Sequence, residues 1–298
     1  MNERTIFLGT NSFSYLGRAY GITWDVQKDN HELRLYLDIF NKRLKVLDYQ
    51  GDSGSIARSL VHIAQKNNVG KILFYARECW DEFFEHGFVK EGEIDGYFNG
   101  KTAYCLSRFM NDKRMESPFL DEEKEIMEKV LSVSPAKSTG KLLDDWTIIS
   151  GREEHASQLA ELYNNTFETY PTPLNNEDYV KQVINDNVNF LMVMDEERVV
   201  SSASAERNLK YNNAEMTDCA TRPDYRGSGL MRFLLAKLEE LMVKEELITI
   251  YSLARARSVG MNMVFRKLGY SFTGRFINNC DICGGFEDMN LWVKRLRY

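Results

Sequence analysis

One segment in the second half of the chain constrains the fold more than any other. A strand pattern at 214–221 is followed at once by the turn RPDYRGSGL and by a helical pattern over 230–246. The apolar residues of that helix lie on one stripe: Leu230, Leu234, Leu235, Leu238, Leu241 and Met242. A strand that leads directly into a helix with a single apolar face indicates a sheet covered by helices.

The remainder of the second half continues this alternation. Helical spacing of apolar residues recurs over 152–166, 175–186 and 261–270. Strand patterns occupy 146–150, 188–195, 198–206, 247–254 and 287–295. The turn-like Glu196 and Glu197 between two of these strands are typical of a hairpin. Together the patterns predict the α/β (α+β) fold class.

The length of the chain indicates more than one domain. Its 298 residues exceed the roughly 100–200 residues of a typical domain. Near 131–145, Ser, Pro, Gly and charged residues replace the apolar periodicity. We therefore predict a first domain over 1–135, a linker over 136–145 and a second domain over 146–298.

The two halves share an order of features that indicates an internal repeat. In each half a strand, a helix, a glycine–aromatic pair and a further glycine follow one another. The corresponding residues are Gly87, Phe88 and Gly92 in the first half and Gly269, Tyr270 and Gly274 in the second, with Gly54 opposite Gly229. The alternative is two unrelated α/β domains with similar turns.

Composition and charge limit the partners. The net charge of −6 gives no basic excess that would attract nucleic acid, so we expect a small-molecule partner. The five cysteines are few and odd in number, unlike the dense, even-numbered cysteines of a secreted disulfide scaffold. No apolar run approaches the roughly 20 residues that span a bilayer, and the N-terminus has no secretion signal. We therefore expect a cytoplasmic protein without a membrane partner.

The turn before the long helix is a candidate phosphate site. The first N–H groups of a helix have no partner within it, and its dipole favours an anion there. Gly227 and Gly229 would let a ligand approach the backbone, and Arg226 would add a charged contact. The alternative is a turn that only links strand to helix.

Arg226-Gly227-Ser228-Gly229, together with Asn262 and Leu268-Gly269-Tyr270, resembles the coenzyme A motif of the GNAT acyltransferase superfamily. Residues 254–294 resemble the β-lysine N-acetyltransferases of that superfamily. The resemblance implies a GNAT fold, with a mixed, mostly antiparallel sheet flanked by helices, and a degenerate GNAT-like N-terminal half. It also implies acetyl transfer from acetyl-CoA to the side-chain amine of β-lysine, which gives the compatible solute Nε-acetyl-β-lysine, by direct attack in a ternary complex.

The same resemblance assigns the residues that contact the coenzyme. They are Cys219, Ala220, Thr221, Arg226, Gly227, Ser228, Gly229, Leu230, Met231, Asn262 and Phe265. Met231 departs from the family pattern, which usually has Gly or Ala there. Phe265 replaces the tyrosine with which many members protonate the leaving thiolate, so Tyr251 and Tyr270 are possible substitutes.

The reaction needs a base, because an amine with a pKa near 10.4 is protonated at pH 7 and its deprotonation costs about 4–5 kcal/mol. Glu215 is the first candidate and Asp218 the second. On a regular strand their side chains would point to opposite faces, unless a bulge intervenes. Both could instead be strand-end carboxylates in solvent. A covalent role for Cys219 is the alternative to direct transfer.

The acceptor site requires groups for an amine and for a carboxylate. Tyr170 on one side, and Asn278, Asn279 and Glu287 on the other, are the candidates, although turn chemistry would also explain them. Cys280-x-x-Cys283 has no second ligand pair, so no metal is expected. A homodimer is possible. The alternative functions are acetylation of another small amine or diamine, and a non-catalytic acetyl-CoA sensor.

Overall fold

The computed structural model of the chain describes residues 4–8, 11–15, 20–136, 145–186 and 188–297. Strands β1 and β2 form a separate two-stranded sheet. The first-half elements are β1 Arg4–Leu8, β2 Asn11–Tyr15, β3 Gly21–Lys28, β4 His31–Asp38, β5 Arg43–Gly51, α1 Ser53–Lys66, β6 Lys71–Ala76, α2 Asp81–Glu85, β7 Val89–Phe98, β8 Lys101–Phe109, α3 Asp112–Met115 and α4 Leu120–Leu131.

The second half begins with β9. Short 3-10 turns cover Glu153–His155 and Pro223–Tyr225. The second-half elements are β9 Trp146–Ser150, α5 Ala156–Thr166, α6 Glu177–Asn185, β10 Val188–Asp195, β11 Arg198–Asn208, β12 Asn213–Thr221, α7 Leu230–Lys244, β13 Thr249–Arg255, α8 Val259–Lys267, β14 Ser271–Asp281 and β15 Phe286–Arg295.

Thirteen strands of the described ranges form one continuous sheet, in the order β3-β4-β5-β6-β8-β7-β14-β15-β13-β12-β11-β10-β9. Among the strand pairs described, β5–β6 and β12–β13 are parallel and the others are antiparallel. This confirms the predicted α/β fold class with a mixed, mostly antiparallel sheet flanked by helices.

The two halves of the sheet have the same connectivity. In the first half β3, β4 and β5 are antiparallel neighbours, α1 leads to the parallel β6, and α2 leads to the β7–β8 pair. In the second half β10, β11, β12, α7, β13, α8, β14 and β15 repeat this arrangement. The domain boundaries at 135 and 146 stay a prediction, since 137–144 of the predicted linker lie outside the described residues.

The halves meet where β14 pairs with β7, at Gly274 and Gly92. A Cβ atom on Gly274 would lie 2.2 Å from the carbonyl oxygen of Glu91 and 2.4 Å from the Cα of Gly92. Only glycine allows backbones to approach this closely. The two corresponding glycines noted in the sequence are therefore the contact between the two halves.

A buried ion pair also joins the halves at this junction. Lys71 is fully buried and lies 2.6 Å from a carboxylate oxygen of Glu91. Lys71 donates a 2.9 Å hydrogen bond to the carbonyl oxygen of Ile277, and the N–H of Ile277 donates a 2.7 Å bond to Glu91. Burial lowers the pKa of Lys71, and Glu91 opposes this effect. The second half thus completes the hydrogen bonding of an ion pair that belongs to the first half.

The long helix α7 covers one face of the second half. Its Leu230, Leu234, Leu235, Leu238 and Met242 are buried, and they pack in a cluster that includes Ile250, Phe265 and Trp292. Burial of each such side chain contributes about 1.5–3 kcal/mol. The predicted apolar stripe therefore fixes the position of the N-terminus of α7 at the edge of the sheet. No helix within the described ranges is long and apolar enough to span a membrane.

Candidate active site

A cleft opens where β12 and β13 separate. The two strands pair over Asn213–Glu215 and Thr249–Tyr251 and then diverge. The cleft continues into a cavity of about 610 Å³ between the N-terminal ends of α7 and α8. Its lining includes Phe167, Cys219, Thr221, Arg226, Gly227, Ser228, Gly229, Leu230, Met231, Arg255, Ser258, Gly260 and Lys267. We call this space the coenzyme cavity.

The N-terminus of α7 faces the coenzyme cavity without a side-chain cap. Gly229 is the N-cap with φ +87°, and Gly227 has φ +82°. A Cβ on either glycine would have no atom within 4 Å, so the space above the backbone is open. The Ser228 hydroxyl donates a 2.6 Å hydrogen bond to the carbonyl oxygen of Tyr225, and Arg226 Nε donates to the carbonyl oxygen of Thr221 at 3.3 Å. Free helix N–H groups beside a guanidinium fit a pyrophosphate.

Other basic groups near the N-terminus of α8 divide between this cavity and structural positions. Arg255 and Lys267 line the coenzyme cavity. Arg257 forms an ion pair with Glu122 at 3.2 Å. Arg266 donates hydrogen bonds to carbonyl oxygens at the end of α4. The charge facing the cavity thus comes from residues on several elements.

Three of the predicted coenzyme contacts lie outside the lining of this cavity. Ala220, Asn262 and Phe265 are buried. The amide nitrogen of Asn262 donates to the carbonyl oxygens of Arg255 and Ser258, at 3.0 and 2.8 Å, so its side chain fixes the β13–α8 loop. Its amide oxygen accepts a bond from Trp292. Asn262 therefore shapes the cavity wall through this loop.

Phe265 has a packing position. Its ring contacts that of Tyr270 edge-to-face with centroids 5.1 Å apart, and it stacks near Trp292 at 6.5 Å. Tyr270 and Tyr251, the possible substitute acids, are also buried and lie outside the lining of the coenzyme cavity. None of these three rings is placed to protonate a thiolate there.

A bulge in β12 determines where the candidate carboxylates point. The β11 register moves from Ser204 opposite Thr217 to Ser202 opposite Ala220, so β12 has one extra residue there. Asp218 lies in this bulge with φ +53°. Because of the bulge, Asp218 faces the same side of the sheet as Ser204, whose hydroxyl donates a 2.6 Å hydrogen bond to its carboxylate.

Two tyrosines of the α5–α6 region hold this bulge. The Tyr163 hydroxyl donates a 2.5 Å hydrogen bond to the backbone oxygen of Asp218. The Tyr170 hydroxyl donates to the Asp218 carboxylate at 3.2 Å. Phe167, which lines the coenzyme cavity, packs against Tyr170 with centroids 4.7 Å apart. The predicted Tyr170 therefore lies beside the candidate carboxylates.

Glu215 lies on the same face as Asp218. It pairs laterally with Glu206 of β11 and with Tyr251 of β13, and lateral partners share a face. Burial, reinforced by Glu206, raises the pKa of Glu215 to about 7, although part of its surface stays exposed. Burial likewise raises the pKa of Asp218 to about 6, against the bonds from Ser204 and Tyr170. Both carboxylates are therefore partly exposed on one face of the sheet, next to Cys219 of the cavity lining.

The two segments predicted to flank the acceptor come together. The Thr169 hydroxyl donates a 2.8 Å hydrogen bond to the carboxylate of Asp281, and the N–H of Gly284 donates to the Thr169 hydroxyl oxygen at 2.8 Å. Glu287 is half-buried, burial raises its pKa, and Arg255 and Arg257 oppose that rise. The loop after α5 and the β14–β15 hairpin thus form adjoining walls.

Asn278 and Asn279 differ from this expectation. Both are buried, and Asn278 donates through its amide to the carbonyl oxygens of Arg114 and Glu116, at 3.2 and 2.8 Å. The guanidinium of Arg114 donates a 3.4 Å hydrogen bond to the backbone carbonyl oxygen of Asn279. These contacts hold the α3 segment against the irregular part of β14. They are structural contacts that the turn-rich sequence does not distinguish from substrate ligands.

The two cysteines of the Cys280-x-x-Cys283 motif lie in different environments. Cys280 is buried in β14, Cys283 is exposed in the following turn, and each sulfur contacts an arginine, Arg43 at 3.6 Å and Arg255 at 3.8 Å. Within the described ranges, no group of three His, Cys, Asp or Glu side chains is arranged to hold a metal ion.

Sequence reasoning missed Tyr163, Ser204 and Glu206. Ser204 and Glu206 alternate on β11 with the residues of its other face, so the period of two could have assigned them to the face of Glu215 once the pairing was known. Tyr163 looks like an ordinary helix residue, since only the tertiary structure brings its hydroxyl to the bulge.

Comparison with known proteins agrees with this geometry. A family model described as "Acetyltransferase (GNAT) family" matches residues 156–270. The chain is 37% identical over 264 residues to N-acetyltransferase YodP of Bacillus subtilis, which covers 87% of this chain and 94% of that protein. It is 35% identical over 271 residues to the beta-lysine N(6)-acetyltransferase of Methanosarcina mazei. This match covers 84% of this chain and 100% of that protein.

A third relative is the beta-lysine N(6)-acetyltransferase of Methanococcus maripaludis. It is 30% identical over 255 residues, which cover 85% of this chain and 93% of that protein. The matches extend over both halves, and the GNAT family uses acetyl-CoA as its acyl donor. The chain therefore belongs to the GNAT family and is an N-acetyltransferase.

Proposed function

We propose that the protein transfers the acetyl group of acetyl-CoA to the side-chain amine of β-lysine. The observation that carries this proposal is the junction at Asp218 and Cys219, where the coenzyme cavity adjoins a group of three carboxylates, Glu206, Glu215 and Asp218. A cationic amine suits such a group. The names of two relatives, both beta-lysine N(6)-acetyltransferases, support β-lysine as the acceptor.

Glu215 is the proposed base. A base is most effective when its pKa lies near the working pH, and burial raises the pKa of Glu215 to about 7. Asp218, held by Ser204 and Tyr170, orients the incoming ammonium group. Once a proton has passed to Glu215, the amine nitrogen bonds to the thioester carbonyl carbon and the carbon–sulfur bond breaks. The sulfur leaves as a thiolate, and the nitrogen releases its second proton to that thiolate or to solvent as the amide forms. The thiolate needs little assistance, since a thiol pKa near 8.5 makes it a tolerable leaving group.

The transfer is proposed to be direct. Cys219 is the alternative nucleophile, but burial and the neighbouring Asp218 raise the pKa of its thiol. A thiol with a raised pKa is a poor source of the reactive thiolate. Cys219 therefore acts as a small apolar wall of the coenzyme cavity.

No metal takes part in the proposed reaction, because pKa-shifted carboxylates and helix N–H groups supply the required chemistry. The acidic net charge of −6 supports a small cationic partner over nucleic acid. We also propose a cytoplasmic location, where both substrates would be available.

The test is a panel of amines with release of free thiol from acetyl-CoA as the readout. β-Lysine should accelerate release most, and NMR of the product should show the acetyl group on the side-chain nitrogen. Faster turnover with spermidine or α-lysine would assign another acceptor. If no amine accelerates release while acetyl-CoA still raises the melting temperature, the protein is a sensor.

A further inference from the structure

One face of the sheet runs from the first half to the carboxylates of the second. Direct lateral partners follow it across the junction, from Tyr75 through Cys105, Gly92, Gly274 and Leu291 to Leu253. Glu215 and its partner Tyr251, two residues before Leu253, lie on the same face. We call this the inner face.

Aromatic contacts show that the inner face is curved and closes on itself. The Tyr75 ring contacts Phe276 at 6.4 Å and Tyr97 at 5.4 Å between centroids, and Tyr97 contacts Tyr251 at 5.8 Å. Tyr251 is the neighbour of Glu215. A continuous row of rings therefore connects a strand of the first half to the proposed base.

Lys45 of β5 belongs to this face. It pairs laterally with Tyr36 of β4 and with Leu73 of β6, and Leu73 is two residues from Tyr75. Its side chain is half-buried. Its positive charge lowers the pKa of Glu215, and the ring contacts from Tyr75 through Tyr97 to Tyr251 bring this part of the first half near the strand beside Glu215.

The charges around Lys45 are arranged differently from those of its neighbour Arg43. Arg43 is fully buried and forms an ion pair with Asp38 at 2.6 Å, so its charge is neutralised. Within the described ranges, no carboxylate forms an ion pair with Lys45, not even Glu215. Lys45 is thus a partly exposed cation on the same face of the sheet as Glu215.

We propose that Lys45 binds the carboxylate of the acceptor, so that the first half of the chain determines which amine is acetylated. This inference rests on the proposed function. β-Lysine has two ammonium groups and one carboxylate, and the second half supplies carboxylates for the former. Lys45 on the same face of the sheet supplies the complementary charge for the latter.

The experiment compares Lys45→Met and Lys45→Arg with the wild type, using β-lysine and its carboxamide, 3,6-diaminohexanamide, as acceptors. The wild type should prefer β-lysine. In Lys45→Met the KM for β-lysine should rise about 10- to 100-fold, the expected loss for a charged hydrogen bond, while the KM for the amide stays unchanged. Lys45→Arg should keep most of the preference.

The control is Lys101→Met, which removes the same charge from an exposed strand position of the first half and should leave both KM values unchanged. Equal preference for β-lysine in Lys45→Met and the wild type would overturn the role of Lys45. A wild type that acetylates neither compound would instead overturn the proposed function. If Lys45→Met is poorly folded, Lys45→Gln with the same two acceptors decides the question.

Discussion

The two halves of this chain contain the same strand and helix arrangement, yet they place different groups where their parallel strands diverge. In the first half, β5 and β6 pair over 43–46 and 71–74 and then separate, as β12 and β13 do. Arg77 lines a cavity of about 630 Å³ at that first cleft. It donates hydrogen bonds to the carbonyl oxygen of Tyr49 at 3.0 Å and to Asp48 at 3.2 Å, and its N–H bonds to the Tyr49 hydroxyl.

The N-cap residue of the helix that begins at each cleft also differs between the halves. Asp52 caps α1, and its carboxylate accepts a 2.8 Å bond from the N–H of Ser55. Gly229 occupies the equivalent position of α7 and brings no side chain. The helix boundaries therefore align Asp52, and not the expected Gly54, with Gly229. A carboxylate at a helix N-terminus accepts hydrogen bonds from the free N–H groups that a phosphate would need. Its negative charge also repels a phosphate.

A few side chains thus distinguish the two clefts. The first half places Arg77 and the Asp52 carboxylate at its cleft, and under the proposal above its Lys45 contacts the acceptor. In the second half Gly229 leaves the N-terminus of α7 without a side-chain cap.

The largest expected effect concerns the junction of the halves. Lys71→Met removes the partner of the buried Glu91, and an unpaired buried charge costs about 3–5 kcal/mol of unfolding free energy. Denaturant unfolding should show this loss in a single transition, because both halves share one sheet. Lys101→Met is the exposed control. A loss below 1 kcal/mol would mean that the halves do not depend on this ion pair.

The second prediction tests whether the chemistry belongs to the second half. Glu215→Gln should lower kcat about 100-fold or more, as expected for loss of a general base. In the wild type, kcat/KM should rise with pH and level off above about 7, since Glu215 must be deprotonated to act. The variant should lose this limb of the profile.

Glu197→Gln, an exposed hairpin residue, should retain the wild-type profile. A Glu215→Gln profile that still bends, now near pH 6, would move the base to Asp218, whose pKa is raised to about 6.

The third prediction concerns a variant with a carboxylate at the N-cap of α7, where Asp52 has one in α1. Gly229→Asp should weaken acetyl-CoA binding about 100-fold, because juxtaposed like charges cost several kcal/mol. Gly229→Asn has the same size and tolerates the same backbone, so it separates charge from shape. Its dissociation constant should change far less. Equal weakening in the two variants would show that shape alone accounts for the loss.

Much of this could be predicted from the sequence, for physical reasons. The order of elements follows from local periodicity, and the phosphate turn follows from Arg226, Gly227 and Gly229. The orientation of Asp218 could not be predicted, because a bulge depends on the register between strands. The buried position of Asn262 against Trp292 and the hydrogen bonds of Arg77 to Tyr49 depend equally on contacts between residues distant in sequence.

Calorimetric titration of acetyl-CoA into the wild-type protein tests the central claim most directly, because its stoichiometry gives the number of coenzyme sites per chain. We predict one binding site per chain, which disappears at the same concentrations in Gly229→Asp. Two sites per chain, or one site unaffected by Gly229→Asp, would contradict the assignment of coenzyme binding to the second half.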